Sequence, residues 1–367
     1  MQESGEEYDR PPSLFTGRTE RAHTLACQPA RRASHAPKND SRRPTPTNKA
    51  AGAFLLFILQ FGNLSWAQAP WPARPVKIIV PFAPGSFTDT AARAVAVELG
   101  NQLGQPFVIE NRGGAGSTIG TDAVAKAAPD GYTFLLTDNS FAVSAALYKS
   151  LPYHPSSDIA QVALVADAPA VLAARNGLKT RTLRDTVEFA RKNPGTLNFG
   201  SGGQGSSAHL AMEAFLLQNG LKMVHVPFKG VAEAMTEIAA DRIDVGIGSV
   251  GSTVQHINGK RLFALAVSGK QRNPMLPDVP TFAEAGYPEY GMMYWFGVMA
   301  PAAVPAAIVE RMNQEVGKAV KTDRVAKTFA AAGVTTVVAP AAAFRQRVAD
   351  EIATWKDVIA RAHIEAQ

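Results

Sequence analysis

The sequence predicts an α/β protein built from two doubly wound lobes, and three observations predict it. Short, near-continuous apolar runs such as VKIIV (Val76–Val80), FVIE (Phe107–Glu110) and YTFLLT (Tyr132–Thr137) read as strands covered on both faces, as in parallel sheets. Helical stripes lie between and after them: Val95, Leu99 and Leu103, then Ile308, Met312 and Val316, then Val348, Ile352 and Trp355. Finally, VALVADAPAVLAA (Val162–Ala174) and YGMMYWFGVMAPAAVP (Tyr290–Pro305) read as crossovers by which the chain leaves one lobe and returns to it. A cleft bridged twice suits hinge closure around a ligand.

In chain order, residues 1–50 are rich in Arg, Pro, Ser and Thr without a periodic apolar pattern, the composition of a disordered segment. Lys49 then precedes an apolar stretch, Ala53–Leu64, and small residues, the order of a cleavable secretory signal peptide. Ser65-Trp66-Ala67 sets the expected cut after Ala67, since Ala67-Gln68-Ala69 would leave Pro70 beside the cut. The competing reading is a membrane anchor, but the stretch is shorter than the ~20 apolar residues a span needs. Cys27, the only cysteine, belongs to this leader, so the exported chain has neither disulfide nor thiol nucleophile. A periplasmic protein is expected.

Further strands are expected at 161–166, 171–174, 196–199, 223–228, 243–247, 263–267 and 296–300. The second of these begins after Asp167-Ala168-Pro169, read as a joint. The crossovers divide the chain into lobe I (68–168 and 293–367) and lobe II (169–292). Residues are 46% hydrophobic and 19% charged, and half of the net charge of +6 comes from residues 1–67. No basic run interleaved with aromatics follows, which argues against a nucleic-acid partner.

The loops after the strands carry the chemistry. LNFGSGGQGSSAHLAMEAFL (Leu197–Leu216) holds Gly200, Gly202 and Gly205 in the order G-x-G-x-x-G. A dinucleotide site also requires an acid at the end of the next strand, ~20 residues on. That strand, KMVHVPFKG, offers His225 and Lys229 instead. What remains is a Gly-rich turn before a helix that Ser206 or Ser207 can cap, whose first amides and dipole favour an anion. A capped turn without a ligand has the same sequence. VPFAPGSFTDTAAR (Val80–Arg93) repeats the arrangement: Gly85 precedes Ser86 and Asp89, an S-x-x-D capping box that makes Asp89 a cap rather than a catalytic acid. ENRGGAGSTIG (Glu110–Gly120) brings Arg112, an anion ligand or a surface ion pair. LLTDNSFAVSAALY (Leu135–Tyr148) brings Thr137, Asn139 and Ser140, and GIGSVGS (Gly246–Ser252) brings Ser249. All follow strand C-termini, where open α/β sheets bind ligands. Uncharged donors from two lobes imply a small anionic ligand.

Five blocks, WPARPVKIIVPFAPGSFTDTAAR, VIENRGGAGSTIGTDAVAKAAPDGYTFLL, LNFGSGGQGSSAHLAMEAF, VPFKGVAEAMTEIAADRIDV and LFALAVSGKQRNPMLPDVPTFAEAGYPEY, occur in order over residues 71–367. In them the chain resembles the extracytoplasmic solute receptors of tripartite tricarboxylate transporters, the Bug-type binding proteins. The resemblance implies a two-lobed periplasmic binding protein type II fold with Venus-flytrap closure, each lobe a doubly wound sheet with helices on both faces. It implies a carboxylate held between the lobes, partly through ordered water. Carried over position by position, Phe82, Pro84, Gly85 and Ser86 form the lobe I cradle with Asp89 beside it, and Thr137, Asn139 and Ser140 line the cleft. Ser201, Gly203, Gly205 and Ser206 meet a carboxylate from lobe II, with Lys229, Gly230 and Ser249 close by. The chain departs from the family at Gly85-Ser86, where Gly-Gly is usual, at Gly248-Ser249, where Phe-Asp is frequent, and at TDNSF, where Asp138 adds a negative charge.

The rival classes are an enzyme and a sensor. H-E-x-x-H and G-x-S-x-G are missing, as is any Cys/His pairing at metal spacing, so no catalytic residue, metal or cofactor is expected. Ser206 and His209 share a helical face, but no third group is evident to orient the imidazole; His209 reads as a packing residue and His225 as structural. The expected partners are a small organic carboxylate (dicarboxylate, tricarboxylate, aromatic acid or amino acid) and integral membrane transporter subunits, or a signalling protein if the receptor is a sensor. The chain itself is expected to be a monomer.

Overall fold

β1 (Val76–Val80), β2 (Phe107–Asn111) and β3 (Thr133–Asp138) pair in parallel with β1 in the centre. Each is followed by a helix: α1 (Phe87–Leu103), α2 (Thr118–Ala125) and α3 (Ser140–Leu147). The central β1 and its neighbour β3 are mostly apolar because both of their faces are covered, whereas β2, at the edge, is half-exposed. Val76, Ile78 and Val80 enter one core with Val95 and Leu99 of α1, while Ile79 enters another with Phe141 and Leu147 of α3. The structure, a computed structural model, describes residues 71–366, all within the unit Ala67–Gln367. The expected leader, its cut after Ala67 and Cys27 lie outside the described residues.

The second half follows the same rule. β4 (Ile159–Arg175) leads into α4 (Leu183–Lys192), β5 (Asn198–Ser201), α5 (Ser207–Asn219), β6 (Val224–Pro227), α6 (Val231–Ala239), β7 (Val245–Ser249), α7 (Val250–Asn258) and β8 (Leu262–Val267). β5 pairs in parallel with β6 and β7, and β4 pairs antiparallel with β7 and β8. Leu172 and Ala174 of β4 face the side of α4 and α5, whereas Val171 and Ala173 face that of α6 and α7. The chain returns through β9 (Met293–Pro301), antiparallel to both β3 and β4. It ends with α8 (Ala306–Ala319), α9 (Asp323–Ala331), β10 (Thr335–Thr336) and α10 (Ala341–Arg361). The sheets are therefore mixed, with parallel strands flanked by the antiparallel β4 and β9.

One expectation is corrected. The two strands at 161–166 and 171–174 are a single strand of 17 residues. Asp167-Ala168-Pro169 does not break it, because the strand changes sheets there. Up to Pro169 it pairs with β9, and from Ala170 it pairs with β7. At this change of partner the ladder has no need of an N–H from Pro169, and the Ala170 N–H goes to the Ser268 hydroxyl at 2.7 Å. Two boundaries also move. β7 extends to Ser249, so Gly248 and Ser249 end a strand instead of standing in a loop, and β3 extends to Asp138, leaving Asn139 as the only residue before α3.

The apolar core is continuous along the side covered by α10, from Phe141 through Trp295 and Phe344 to Phe199 and Phe215. Helix α10 packs on α3 and on α5. The seat of Phe344 explains Gly297 of β9: a Cβ there would lie 2.3 Å from the ring.

Candidate ligand-binding site

Three strands end in the same local device. Ser86 before α1, Ser206 before α5 and Ser249 before α7 are N-caps with extended backbone (φ −63, −68 and −70°). Each hydroxyl accepts the amide three residues on: Asp89 at 3.2 Å, His209 at 3.2 Å and Ser252 at 3.3 Å. A cap of this kind satisfies one of the four amides that a helix start leaves free and directs the others outward, with the positive end of the helix dipole behind them. In the first two turns the preceding glycine is left-handed, Gly85 at φ +84° and Gly205 at +70°, which glycine adopts without a steric cost. Ser86 itself needs no such freedom and contributes the cap.

The third helical residue also reaches back in both turns. Asp89 Oδ2 accepts the Gly85 N–H at 3.0 Å, and His209 Nδ1 accepts the Gly205 N–H at 3.0 Å. Around Asp89 the setting is ionic: Arg93 contacts it at 2.9 and 3.0 Å, and Asn111 Nδ2 donates to it at 2.9 Å. Burial pushes this carboxyl up, but the bonds from Arg93, Gly85 and Asn111 outweigh burial and hold it below the usual carboxylate value. Asp89 is thus the cap expected of it, with a spent charge.

Around His209 the setting is aromatic on its faces. Its ring stacks on His225 at 3.8 Å and 12°, and His225 stacks on Phe199 at 4.9 Å. Burial, then the neighbouring His209, pushes His225 down to about 4, so it is uncharged at neutral pH. His225 Nε2 lies 2.7 Å from Ser201 Oγ, which also accepts the Gly203 N–H at 3.1 Å. Ser201 is wholly buried, so its hydroxyl braces the turn from beneath. The third group that the sequence did not reveal is Glu213, 3.7 Å from His209 Nε2. The imidazole nevertheless bonds the Gly205 amide and leaves the Ser206 hydroxyl as an acceptor for the His209 N–H.

The turn before α5 meets α3 at Gly205, where a Cβ would lie 2.3 Å from Leu147 Cδ2. Beside this contact is a cavity of about 310 Å³ lined by Ser140, Ser144 and Tyr148 on one side and Gln204, Gly205 and Ser206 on the other. Of the residues singled out in the sequence, it gathers Ser140, Gly205 and Ser206. Phe82, Pro84, Gly85, Ser86, Lys229, Gly230 and Ser249 do not line it. Gly230 caps α6, and the Gly202 and Gly203 backbone packs against residues 228–231. A Cβ at Gly248 would lie 2.8 Å from Ser252 Oγ and 3.1 Å from Val231, so the small residue fits the local packing of α6 and α7. Arg112 is paired with Glu110 at the surface.

The joint between β3 and α3 holds unsatisfied polar atoms. Thr137 Oγ1, Asn139 Nδ2 and Ser140 Oγ are buried without a hydrogen-bond partner. Such atoms cost about 1–3 kcal/mol each and cluster where a ligand or water completes the structure. Asp138 accepts from Ser140 N at 2.9 Å and Thr88 Oγ1 at 3.2 Å, and burial pushes its carboxyl up despite these bonds. A larger cavity, about 580 Å³, lies behind the crossovers. It carries Asp167, Glu289, Asp350 and Glu351 against one Arg347, and this acidic lining disfavours a carboxylate.

Sequence reasoning missed Ser144, Tyr148 and Gln204, which carry no local signal, and the capping role of His209. Comparison with known proteins agrees with this geometry. Residues 91–364 match the tripartite tricarboxylate transporter family receptor. Protein BugT of Bordetella pertussis is 40% identical over 307 residues, covering 83% of this chain and 94% of its own. The periplasmic binding protein BugD superposes with a TM-score of 0.68 at 31% identity, covering 81% of this chain and 100% of its own. MatC of Rhodopseudomonas palustris, solved with bound malate, superposes with a TM-score of 0.67 at 31% identity, over 79% and 100%.

Proposed function

The chain belongs to the tripartite tricarboxylate transporter receptor family, and on that premise we propose that it captures a small organic carboxylate between its lobes in the periplasm and presents it to integral membrane transporter subunits. The lobes are residues 68–168 with 293–367, and 169–292. The carrying observation is the inter-lobe cavity, lined by Ser140, Ser144 and Tyr148 of one lobe and by the Ser206-capped start of α5 of the other, next to the buried, unpartnered Thr137, Asn139 and Ser140 side chains. Malate in MatC supports the ligand class.

In this reading Ser140, Gly205 and Ser206 touch the ligand in this cavity, and closure brings Phe82, Pro84, Gly85, Ser86, Thr137, Asn139, Gly203, Lys229, Gly230 and Ser249 around it. Asp89 and Ser201 brace the turns that hold it. Micromolar binding needs about −8 kcal/mol. Charge-assisted hydrogen bonds contribute about 1.5–3 kcal/mol each, so four or five suffice once closure excludes water. In this reading the protein acts as a cofactor-free monomer without turnover: the Ser206 hydroxyl accepts the His209 N–H while His209 Nδ1 accepts the Gly205 N–H, and the Ser201 hydroxyl beside His225 is wholly buried.

Thermal unfolding against malate and other dicarboxylates of four to six carbons tests the proposal. A ligand at a hundredfold excess over Kd stabilises the native state by about 2.7 kcal/mol, and scattering should show compaction with it. A tight ligand without compaction would refute closure. A flat panel, with no carboxylate recovered by mass spectrometry from denatured protein, would refute the ligand class.

A further inference from the structure

The two glycine turns are geometrically alike and electrically different. In lobe I the residue that reaches back to the glycine amide is an acid, and it needs Arg93 and Asn111 around it. In lobe II it is an imidazole with no cation beside it; the charged group in contact is Glu213, which faces the far nitrogen. With Nδ1 accepting the Gly205 N–H, the proton of a neutral ring sits on Nε2, toward Glu213. Protonation of Nδ1 would set two donors against each other, so this geometry requires the neutral ring. The stack of His209 on His225, and of His225 on Phe199, fixes the ring plane. His225 in turn fixes Ser201, and Ser201 accepts the Gly203 N–H. Two histidines therefore hold the backbone at both Gly203 and Gly205, and the acid of the cluster, Glu213, stands on the far side of the His209 ring from the Gly205 amide.

We infer that His209 and His225 are positioning residues for the ligand: they set the Gly203–Gly205 backbone that receives it, and at position 209 an imidazole does so without placing a carboxylate directly on the Gly205 amide. The inference rests on the carboxylate reading above and adds how the lobe II turn is held for that ligand. An acid at position 209 would satisfy the Gly205 amide equally well, since Asp89 does the same for Gly85 at the same helical position. It would, however, place an anion beneath the anion seat, with no Arg93 to offset it.

The variants His209→Asn and His209→Asp separate geometry from charge. Both can accept the Gly205 amide, and only the second is anionic. Calorimetric titration with malate, with melting temperature as the check on folding, is expected to leave His209→Asn within about threefold of the parent. His209→Asp and His209→Leu are expected to weaken binding about tenfold to hundredfold, the first through charge and the second through an orphaned Gly205 N–H. His225→Gln, which keeps an acceptor for Ser201, should stay within a few-fold of the parent. Equal affinity of His209→Asp and His209→Asn would overturn the charge argument, and full binding by His209→Leu would overturn positioning. Nitrogen-15 spectra of the parent protein without ligand give an independent readout: an unprotonated Nδ1 at His209, coupled to the Gly205 amide, is expected at neutral pH. A protonated Nδ1 would overturn the inference. If malate and the other dicarboxylates leave the parent untouched, the ligand class fails, and this spectrum still decides the role of His209.

Discussion

The turn before α1 and the turn before α5 share a glycine, a serine cap and a third helical residue that reaches back to the glycine amide, yet their surroundings differ. A Cβ at Gly85 would have nothing within 4 Å, whereas a Cβ at Gly205 would meet Leu147 of α3. Asp89 is charged and compensated by Arg93; His209 stacks on the His225 ring. One turn is a locally stabilised helix start in the open. The other is a helix start built into a contact with α3. The same backbone motif thus serves two purposes, and what surrounds it decides which.

The comparison breaks most sharply at the glycines. Gly85→Ala pays only for a left-handed alanine, about 1–2 kcal/mol. Gly205→Ala adds an overpacked contact with Leu147, about 1–3 kcal/mol more. Denaturant unfolding should show the larger loss at Gly205, and malate affinity should fall there first. Pairing it with Leu147→Ala should recover part of the loss, and no recovery would mean that the lobes do not meet as described. The acids come next. Asp89→Asn removes a charge that Arg93 and Asn111 address, so stability should drop by about 1.5–3 kcal/mol, while His209→Asn should cost less. Equal losses would erase the electrical difference between the turns. The Asp89 contribution is present above the ordinary carboxylate pKa of 3.8 and disappears as pH falls through its lowered folded value.

The sequence announced the first turn and concealed the second. S-x-x-D is a local capping pattern, so Ser86 and Asp89 could be read from four residues. S-x-x-H is not such a pattern, and the partner that gives His209 its meaning, His225, stands 16 residues on in another strand. Parallel strands and helical stripes were legible because burial on both faces forces continuous apolar runs. The single strand β4 was not, because Pro169 reads as a break unless the change of sheets is known. Leu147 and Tyr148 look like ordinary residues at a helix end, and only the long-range meeting of α3 with the β5–α5 turn places them at a cavity.

The smallest effect sharpens the comparison in mild acid. The folded protein holds His225 at about 4, against 6.5 for a free histidine. As pH falls below 6.5 the unfolded chain takes up a proton that the folded chain refuses, so the His225 contribution is complete above 6.5 and drains away toward 4. Asp89 contributes fully throughout that window. Global melting would blur the distinction, because burial beside Trp295 and Trp355 pushes Glu351 on α10 up to about 7. There the folded state binds the extra proton, and its contribution grows as pH falls from 7 toward 4.5, opposite in sign. Hydrogen exchange reads each turn separately. Corrected for the intrinsic rate, protection of the Gly203 and Gly205 amides should fall between pH 7 and pH 5, while that of Gly85 stays level. If all three decline together, the acid response belongs to the whole fold. If none declines, the imidazoles do not hold the lobe II turn, and its shape must come from the Leu147 contact alone.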